Sequence, residues 1–462
     1  MKTDYLLFTV AVIILIFTAA ACDDSTDSLT PIKSVDITVI APSPGRFPDD
    51  TTVDGAGHFS LVSASWTPGD HTFVVYKAYT VYVTLAANKG CFFADNLSAA
   101  INGQNAEVTG GGSTVTLSYQ FAEIPDSENE GMNGTPEKPF KVYDVGTLRR
   151  VGTEPSGGWS LVADYEQIAD IVLPPVSAGE SNWTAIGSYS DSANNSFKGI
   201  YDGGGYSIFN LTINTNTGEQ GMFSYITKSG DGGIVQNVCI INGSIRGSIS
   251  GGIAGRNEFG TIQNCYFNGS VTGSSNTGGI VGDNLGTVQN CYSEGSVSGG
   301  YSGIAGGVVG NNGFSTSNSG TVQNCYSTAR ISSFFIVGGV VGENNSGGTV
   351  QNCVALNLGA TTSSDINSVG RVVGENNGTL ANNYAHSNMV LEYNWDGRDG
   401  ENKTPVSSAG GVDGASIGAE WYNSKSWWRN AGIWKTDGGA FAWDFAAVWK
   451  WDSAAGLPVL KK

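Results

Sequence analysis

The chain repeats itself. From about residue 220 to 385 one phrase recurs: IVQNVCI from Ile234, TIQNCYF from Thr261, TVQNCYS from Thr287 and Thr321, TVQNCVA from Thr349 and TLANNYA from Thr379. A second phrase precedes every copy but the first: GGIAG at Gly251, GGIVG at Gly278, GGVVG at Gly306 and Gly338, and GRVVG at Gly370. The aligned glutamines stand at 236, 263, 289, 323 and 351, giving steps of 27, 26, 34 and 28 residues. A period of this size marks a stack of similar units, each in contact only with its neighbours.

Each unit holds short β-branched runs cut by Gly and Asn, and none has the 3.6-period apolar pattern of a helix. One unit cannot bury its few aliphatic side chains. Stacking in register gives each inward residue a like neighbour about 4.8 Å above and below. The expected aliphatic rows are Ile253, Ile280, Val308, Val340, Val372 and Ile262, Val288, Val322, Val350, Leu380. Val238, Cys265, Cys291, Cys325 and Cys353 form a row of small buried groups. Two Asn rows align as well, one running from Asn257 to Asn376 and the other from Asn237 to Asn382. Stacked Asn can pass amide hydrogen bonds between coils, and Asn tolerates left-handed backbone. The insertion GFSTSNS after Asn312 should bulge as a loop.

These phrases, G-G-[IV]-x-G followed by G-T-[IV]-Q-N-C-[YV], resemble the GLUG-motif family of bacterial surface proteins. The text before them fits too: NWTAIG at Asn182, FKGIYDGGGYSIFNLTI at Phe197 and GMFSYI at Gly221. The resemblance covers roughly residues 134 to 462. It implies an all-β fold, a right-handed parallel β-helix-like solenoid outside the cell, and it implies no reaction. Some large bacterial proteases carry such repeats beside a separate zinc domain, but this chain has no H-E-x-x-H among its three histidines, His58, His71 and His386.

A formal net charge of -18 argues against nucleic acid as a partner. The seven cysteines contain no C-x-x-C pair, which zinc sites favour. In-register side chains point the same way, and Val238 shares the cysteine slot, so inert buried thiols are expected over disulfides.

Residues 1–22 read as a lipoprotein signal peptide: Lys2, an apolar run from Leu6 to Phe17, then small residues ending at Cys22. Ala19-Ala20-Ala21-Cys22 resembles a bacterial lipobox, which implies lipid attachment at Cys22 and a membrane held through the N-terminal lipid; the acidic Asp23-Asp24-Ser25-Thr26-Asp27-Ser28 resembles the stretch that directs lipoproteins to the outer surface, so a surface-exposed outer-membrane lipoprotein is expected. Residues 23–32 form an acidic tether. Residues 33–124 read as a small Ig-like β-sandwich, with strands at Ser34–Ile40, His58–Trp66, His71–Tyr79, Tyr79–Ala87 and Thr114–Phe121. The stretch from Tyr82 to Phe121 resembles Ig-like modules that space out bacterial surface proteins, so a stalk is its default role. Residues 125–137 are a linker. The solenoid is expected over 138–390, opened by a strand at Phe140–Tyr143 and a short helix capped by Asp144. A Trp-rich C-terminal cap takes 391–462.

Candidate sites are few. Asp202-Gly203-Gly204-Gly205 is a tight turn and lacks the Lys-Ser/Thr of a phosphate loop. The residue after each G-G-[IV]-x-G phrase forms an outward row of Arg256, Asp283, Asn311, Glu343 and Glu375. Glu343 and Glu375, one coil apart, are close enough to raise one pKa, hold Ca²⁺ or contact a ligand. A solvated turn is the bland alternative. No other cofactor is expected. Seven of eleven tryptophans lie between Trp421 and Trp451. They either plug the far end of the stack or offer a sugar-stacking surface, with Trp427–Trp428 as the pair expected to expose a ring because neighbours on a strand face opposite sides. The chain thus reads as a non-enzymatic, lipid-anchored adhesin or surface-assembly scaffold that meets a surface glycan or protein. The alternatives are a β-helix lyase or glycosidase and a purely structural envelope spacer.

Overall fold

A computed structural model describes residues 29–48, 54–55, 58–154, 158–188, 195–315, 319–394, 401–430, 432–434 and 443–461. The signal peptide, Cys22 and most of the acidic tether lie outside the described residues. No described helix is long and apolar enough to cross a membrane. Two compact units divide between Ser127 and Glu128.

The first unit is two sheets around one core. Phe59–Thr67, Thr80–Ala87, Thr114–Gln120 and Glu107–Gly111 pair antiparallel in a five-stranded sheet. Thr30–Ile37 pairs parallel with Cys91–Ile101 in a three-stranded one. Alternate residues of both, including Val81, Val83, Leu85, Val35, Ile37, Phe93 and Ile101, fill the core. His71–Tyr79 is not a strand. Its apolar residues Phe73, Val74 and Val75 are buried, but its backbone bonds irregularly: Phe73 exchanges both main-chain bonds with the Gly45–Arg46 turn, and the Val74 amide donates to the Tyr79 hydroxyl. Cys91–Ile101, absent from the expected strands, supplies the missing partner.

The second unit is a three-sided parallel solenoid of about seven turns. One circuit runs through Ala254–Gln263 on the first face, Tyr266–Gly273 on the second and Asn276–Gly278 on the third. The faces are sheets of 13, 14 and 6 strands. The register follows the phrases. Ile262 pairs with Val288, Val288 with Val322, Val322 with Val350 and Val350 with Leu380. Ile280 and Val308 occupy neighbouring rungs, the Ile280 amide donating to the Val308 carbonyl at 2.9 Å. Both rows are sealed from solvent through Val350 and Val372.

Glycine lets the third face meet the first at a sharp corner. A Cβ on Gly338 would stand 1.8 Å from the Val341 carbonyl oxygen. No side chain fits there, which accounts for the first Gly of each G-G-[IV]-x-G phrase.

The ends differ. At the start, the helix Val145–Arg150 carries the expected Asp144 N-cap: the Thr147 amide donates to Asp144 Oδ1 at 2.6 Å. The first coils are filled by aromatic rings, Phe140, Trp159, Tyr165, Phe197, Tyr201 and Phe223, before Val and Ile take over. At the other end the stack outlasts its expected limit of 390. Gly410-Gly411-Val412-Asp413-Gly414 is one more copy of the glycine phrase. The Val372 amide donates to the Val412 carbonyl at 3.0 Å, and Ala415–Ile417 pairs with Tyr384–His386. Arg371 replaces the second Gly of its phrase. It closes this end, its buried guanidinium donating to the carbonyls of Asp413 and Gly414.

Candidate functional site

Amide ladders bind coil to coil. Inside, Asn257 Nδ2 donates to Asn284, Asn284 to Asn312, Asn312 to Asn344 and Asn344 to Asn376, at 2.7–2.9 Å. At the corner between the first and second faces, Asn237, Asn264, Asn290, Asn324, Asn352 and Asn382 are all left-handed, with φ of 53–57°. Their side chains run the other way: Asn264 donates back to Asn237, Asn290 to Asn264, Asn324 to Asn290 and Asn382 to Asn352. A third ladder was hidden in the repeated glutamines, each donating to the one before from Gln263 through Gln351 at 2.6–2.8 Å. In-register identity was its only signal in the sequence.

The cysteine row is a stack of free thiols. Cys265, Cys291, Cys325 and Cys353 are fully buried, each Sγ donating to the carbonyl two residues earlier, as Cys291 does to Gln289 at 3.2 Å. Burial pushes the Cys291 and Cys353 thiols well up, so they stay protonated.

The row from Arg256 to Glu375 is real: Arg256 pairs with Asp283, Asp283 with Asn311, Asn311 with Glu343 and Glu343 with Glu375. Its members differ in environment. Asp283 is 7% exposed and accepts from Asn276 Nδ2 at 2.6 Å and Asn311 Nδ2 at 3.4 Å. Desolvation raises its pKa against those bonds and the Arg256 charge. Glu343 is half-buried. Desolvation and then the Glu375 charge raise its pKa. Glu375 accepts from the Ser368 hydroxyl at 2.8 Å. Among the described residues no group of three or more His, Cys, Asp or Glu is gathered as metal ligands.

The tryptophans are not where the sequence reading put them. Trp427 and Trp428 are 5% and 0% exposed. They lie on a one-turn helix, Lys425–Trp428, where neighbouring side chains need not face opposite ways, and both enter one cluster with Trp434, Trp443 and Trp449. Neither offers a ring to a ligand. Among the described residues of this region the exposed ring is Trp421, at 55%. Among the described residues the cluster packs on the side of the stack and not across its end. It folds back along the second face, over the residue after each cysteine. There Tyr266 stacks on Tyr292 (centroids 4.2 Å, planes 20° apart) and Tyr292 on Tyr326 (4.8 Å, 11°). Trp449 packs on Tyr292 and Tyr326, Trp427 and Trp434 on Tyr384, and the Tyr326 hydroxyl donates to the Pro458 carbonyl at 2.8 Å.

Beside this covered strip the second face is open and polar. Its outward rows include Ser244, Ser270, Ser296 with Arg330, and Arg246, Thr272, Ser298 with Ser332. The segment 175–180 walls one stretch of it into a groove of about 1010 Å³, lined by Asn214, Ser244, Arg246, Ser270 and Thr272.

Residues 246–272 match the GLUG motif, a span that covers one circuit of the stack. Halomucin of Haloquadratum walsbyi is 28% identical over 141 residues, 29% of this chain and 1% of halomucin, so the chain spans about a hundredth of that relative's length. Among solved structures, a crystal structure from Bacteroides ovatus provisionally named an immunoglobulin A1 protease aligns at a TM-score of 0.53 and 24% identity, over 71% of this chain and 94% of that one. A chain named IgA1 Protease aligns at a TM-score of 0.42 and 14% identity, over 78% of this chain and 27% of that one. The first likeness is one of fold alone, and the second carries no argument. The protein is an all-β chain carrying a GLUG motif within a parallel β-solenoid.

Proposed function

We propose that this protein is a lipid-anchored, non-enzymatic component of the bacterial cell surface, whose solenoid binds a glycan or protein through repeated weak polar contacts. The observation that carries this is the second face, where in-register rows of Ser, Thr and Arg stand in the open beside the polar groove. Ladders on the neighbouring corner and in the interior hold those rows rigid, so a partner meets a preformed surface. Cys22 would carry the lipid, and the outer membrane is the expected site of anchoring.

The test is a binding screen of the full chain on immobilised glycans and matrix proteins. At least one ligand should bind, and Arg246→Ala with Thr272→Ala should weaken it about tenfold, the loss of one or two polar contacts. No ligand in the screen would favour a structural spacer. Fatty-acid labelling should depend on Cys22; labelling and membrane partition that persist in Cys22→Ala would refute the anchor. A carbohydrate-active enzyme is the rival reading, resting on Glu343 beside Glu375. These carboxylates stand side by side on adjacent strands, whereas glycosidase pairs flank the scissile bond. Loss of turnover in Glu343→Gln would favour the rival.

A further inference from the structure

The tyrosine stack on the second face stops at Tyr266. Its next register partners are Cys239 and then Ser207, both far smaller. The C-terminal hairpin, Trp449–Asp452 with Leu457–Leu460, continues alongside. Where the rings end and the hairpin does not, a pocket of about 420 Å³ is left, lined by Tyr266, Cys239, Ser207, Glu294, Lys450 and Asp452. That volume lies in the roughly 300–1,000 Å³ range of small-molecule sites.

From this arrangement we infer that the pocket is a saccharide site, which takes one pyranose ring of a neutral glycan against the free side of Tyr266. The inference goes beyond the surface reading, which needs no pocket. Tyr266 is held rigid for the task. Tyr292 stacks on one side, and the Tyr266 hydroxyl donates to Glu294 Oε2 at 2.8 Å. Burial and the Glu294 charge raise the phenol pKa, so it remains a donor at neutral pH. A half-buried aromatic ring presents an apolar surface suited to the C–H face of a sugar. The Glu294 carboxylate at the rim is an acceptor for sugar hydroxyls. Glu294 and Asp452 are balanced by Lys450 and Lys461, which suits an uncharged ligand. A nucleotide could stack equally well, but its phosphates would add uncompensated negative charge to a pocket whose charges already balance, on a chain of net charge -18.

The test uses the full chain and the methyl pyranosides of glucose, galactose, mannose and N-acetylglucosamine with their β-linked disaccharides. Each is supplied at about 10 mM, enough to fill a millimolar site. Two readouts are followed: saturation-transfer NMR on the sugar, and iodoacetamide labelling of Cys239, the half-buried thiol beside the four sealed ones. At least one sugar should bind and slow Cys239 alkylation several-fold. Cys239→Trp, which extends the stack into the pocket, should weaken binding at least tenfold while leaving thermal unfolding near that of the parent chain. If Cys239→Trp does not fold, Glu294→Gln should still weaken binding about tenfold. No protection of Cys239 by any of these sugars, or binding unchanged in the folded variant, overturns the site. Glycan binding elsewhere on the solenoid that survives both substitutions would leave the surface reading standing and remove the pocket.

Discussion

At the corner after each glutamine, the asparagines combine two properties that few residues share. Asn290 sits at φ 53° and also donates to Asn264 at 3.2 Å. Alanine there should cost about 2 kcal/mol, from left-handed strain and the lost bond together. Glycine removes the strain and keeps only the loss of the bond, so Asn290→Gly should cost less than half as much in chemical denaturation. The cysteines are the opposite case, residues with reactive chemistry and no use for it here. Cys265, Cys291, Cys325 and Cys353 should resist a thiol reagent until the chain unfolds. Cys291→Val should change stability by less than about 1.5 kcal/mol, since Val238 already fills that slot.

The residue after the glycine phrase lies in a strand and not in a turn, and it shows how a strand position becomes a pH-dependent one. Glu343 faces Glu375 across a strand pair, and its raised pKa has a definite sign. The folded state holds this proton more tightly than the unfolded chain does. Any destabilisation is therefore absent well below the ordinary value of 4.5, grows as pH rises through and above it, and is complete once folded Glu343 has ionised. Glu343→Gln should accordingly stabilise the solenoid at neutral pH by about 0.5 kcal/mol, the scale of like charges set opposite each other on strands. The advantage should disappear near pH 3. A neutral-pH loss of stability on the same change would indicate that the pair is bridged, as Ca²⁺ would bridge it. At the glycine corner the effect is larger and steric. Gly338→Ala should cost 3 kcal/mol or more, at about the limit of what single substitutions do, because the obstruction is backbone.

Over the whole molecule, the sequence displays what the repeat dictates and conceals what one copy does alone. Rows such as Ile280–Val308 or Asn284–Asn312 could be aligned by eye, because a stack demands like over like. The Arg256–Glu375 row was legible for the same reason, though its uneven burial was not, since that depends on single neighbours such as Asn276. The added coil was legible in principle, for Gly410–Gly414 repeats the phrase; the absence of a following Gln-Asn pair disguised it. The tryptophan cluster gave no such clue. Its partners include Tyr292, Tyr326 and Tyr384, outward residues that a repeat pattern alone reads as solvated, and its short helix defeats strand alternation. The cluster makes its own prediction. Trp449 is fully buried between Tyr292, Tyr326 and Trp443. Trp449→Ala should cost about 3–5 kcal/mol within the cap and make the last forty residues protease-sensitive while the coils stay resistant.

Everything rests on neighbouring copies lying one above another, and methyl NMR tests that directly. With Ile and Val methyls labelled, nuclear Overhauser cross-peaks should link Ile253 to Ile280, Ile280 to Val308, Val308 to Val340, Val340 to Val372 and Val372 to Val412, with none between Ile280 and Val372. Cross-peaks absent between Ile280 and Val308, or present between copies two or more apart, would contradict the stack and the surface built on it.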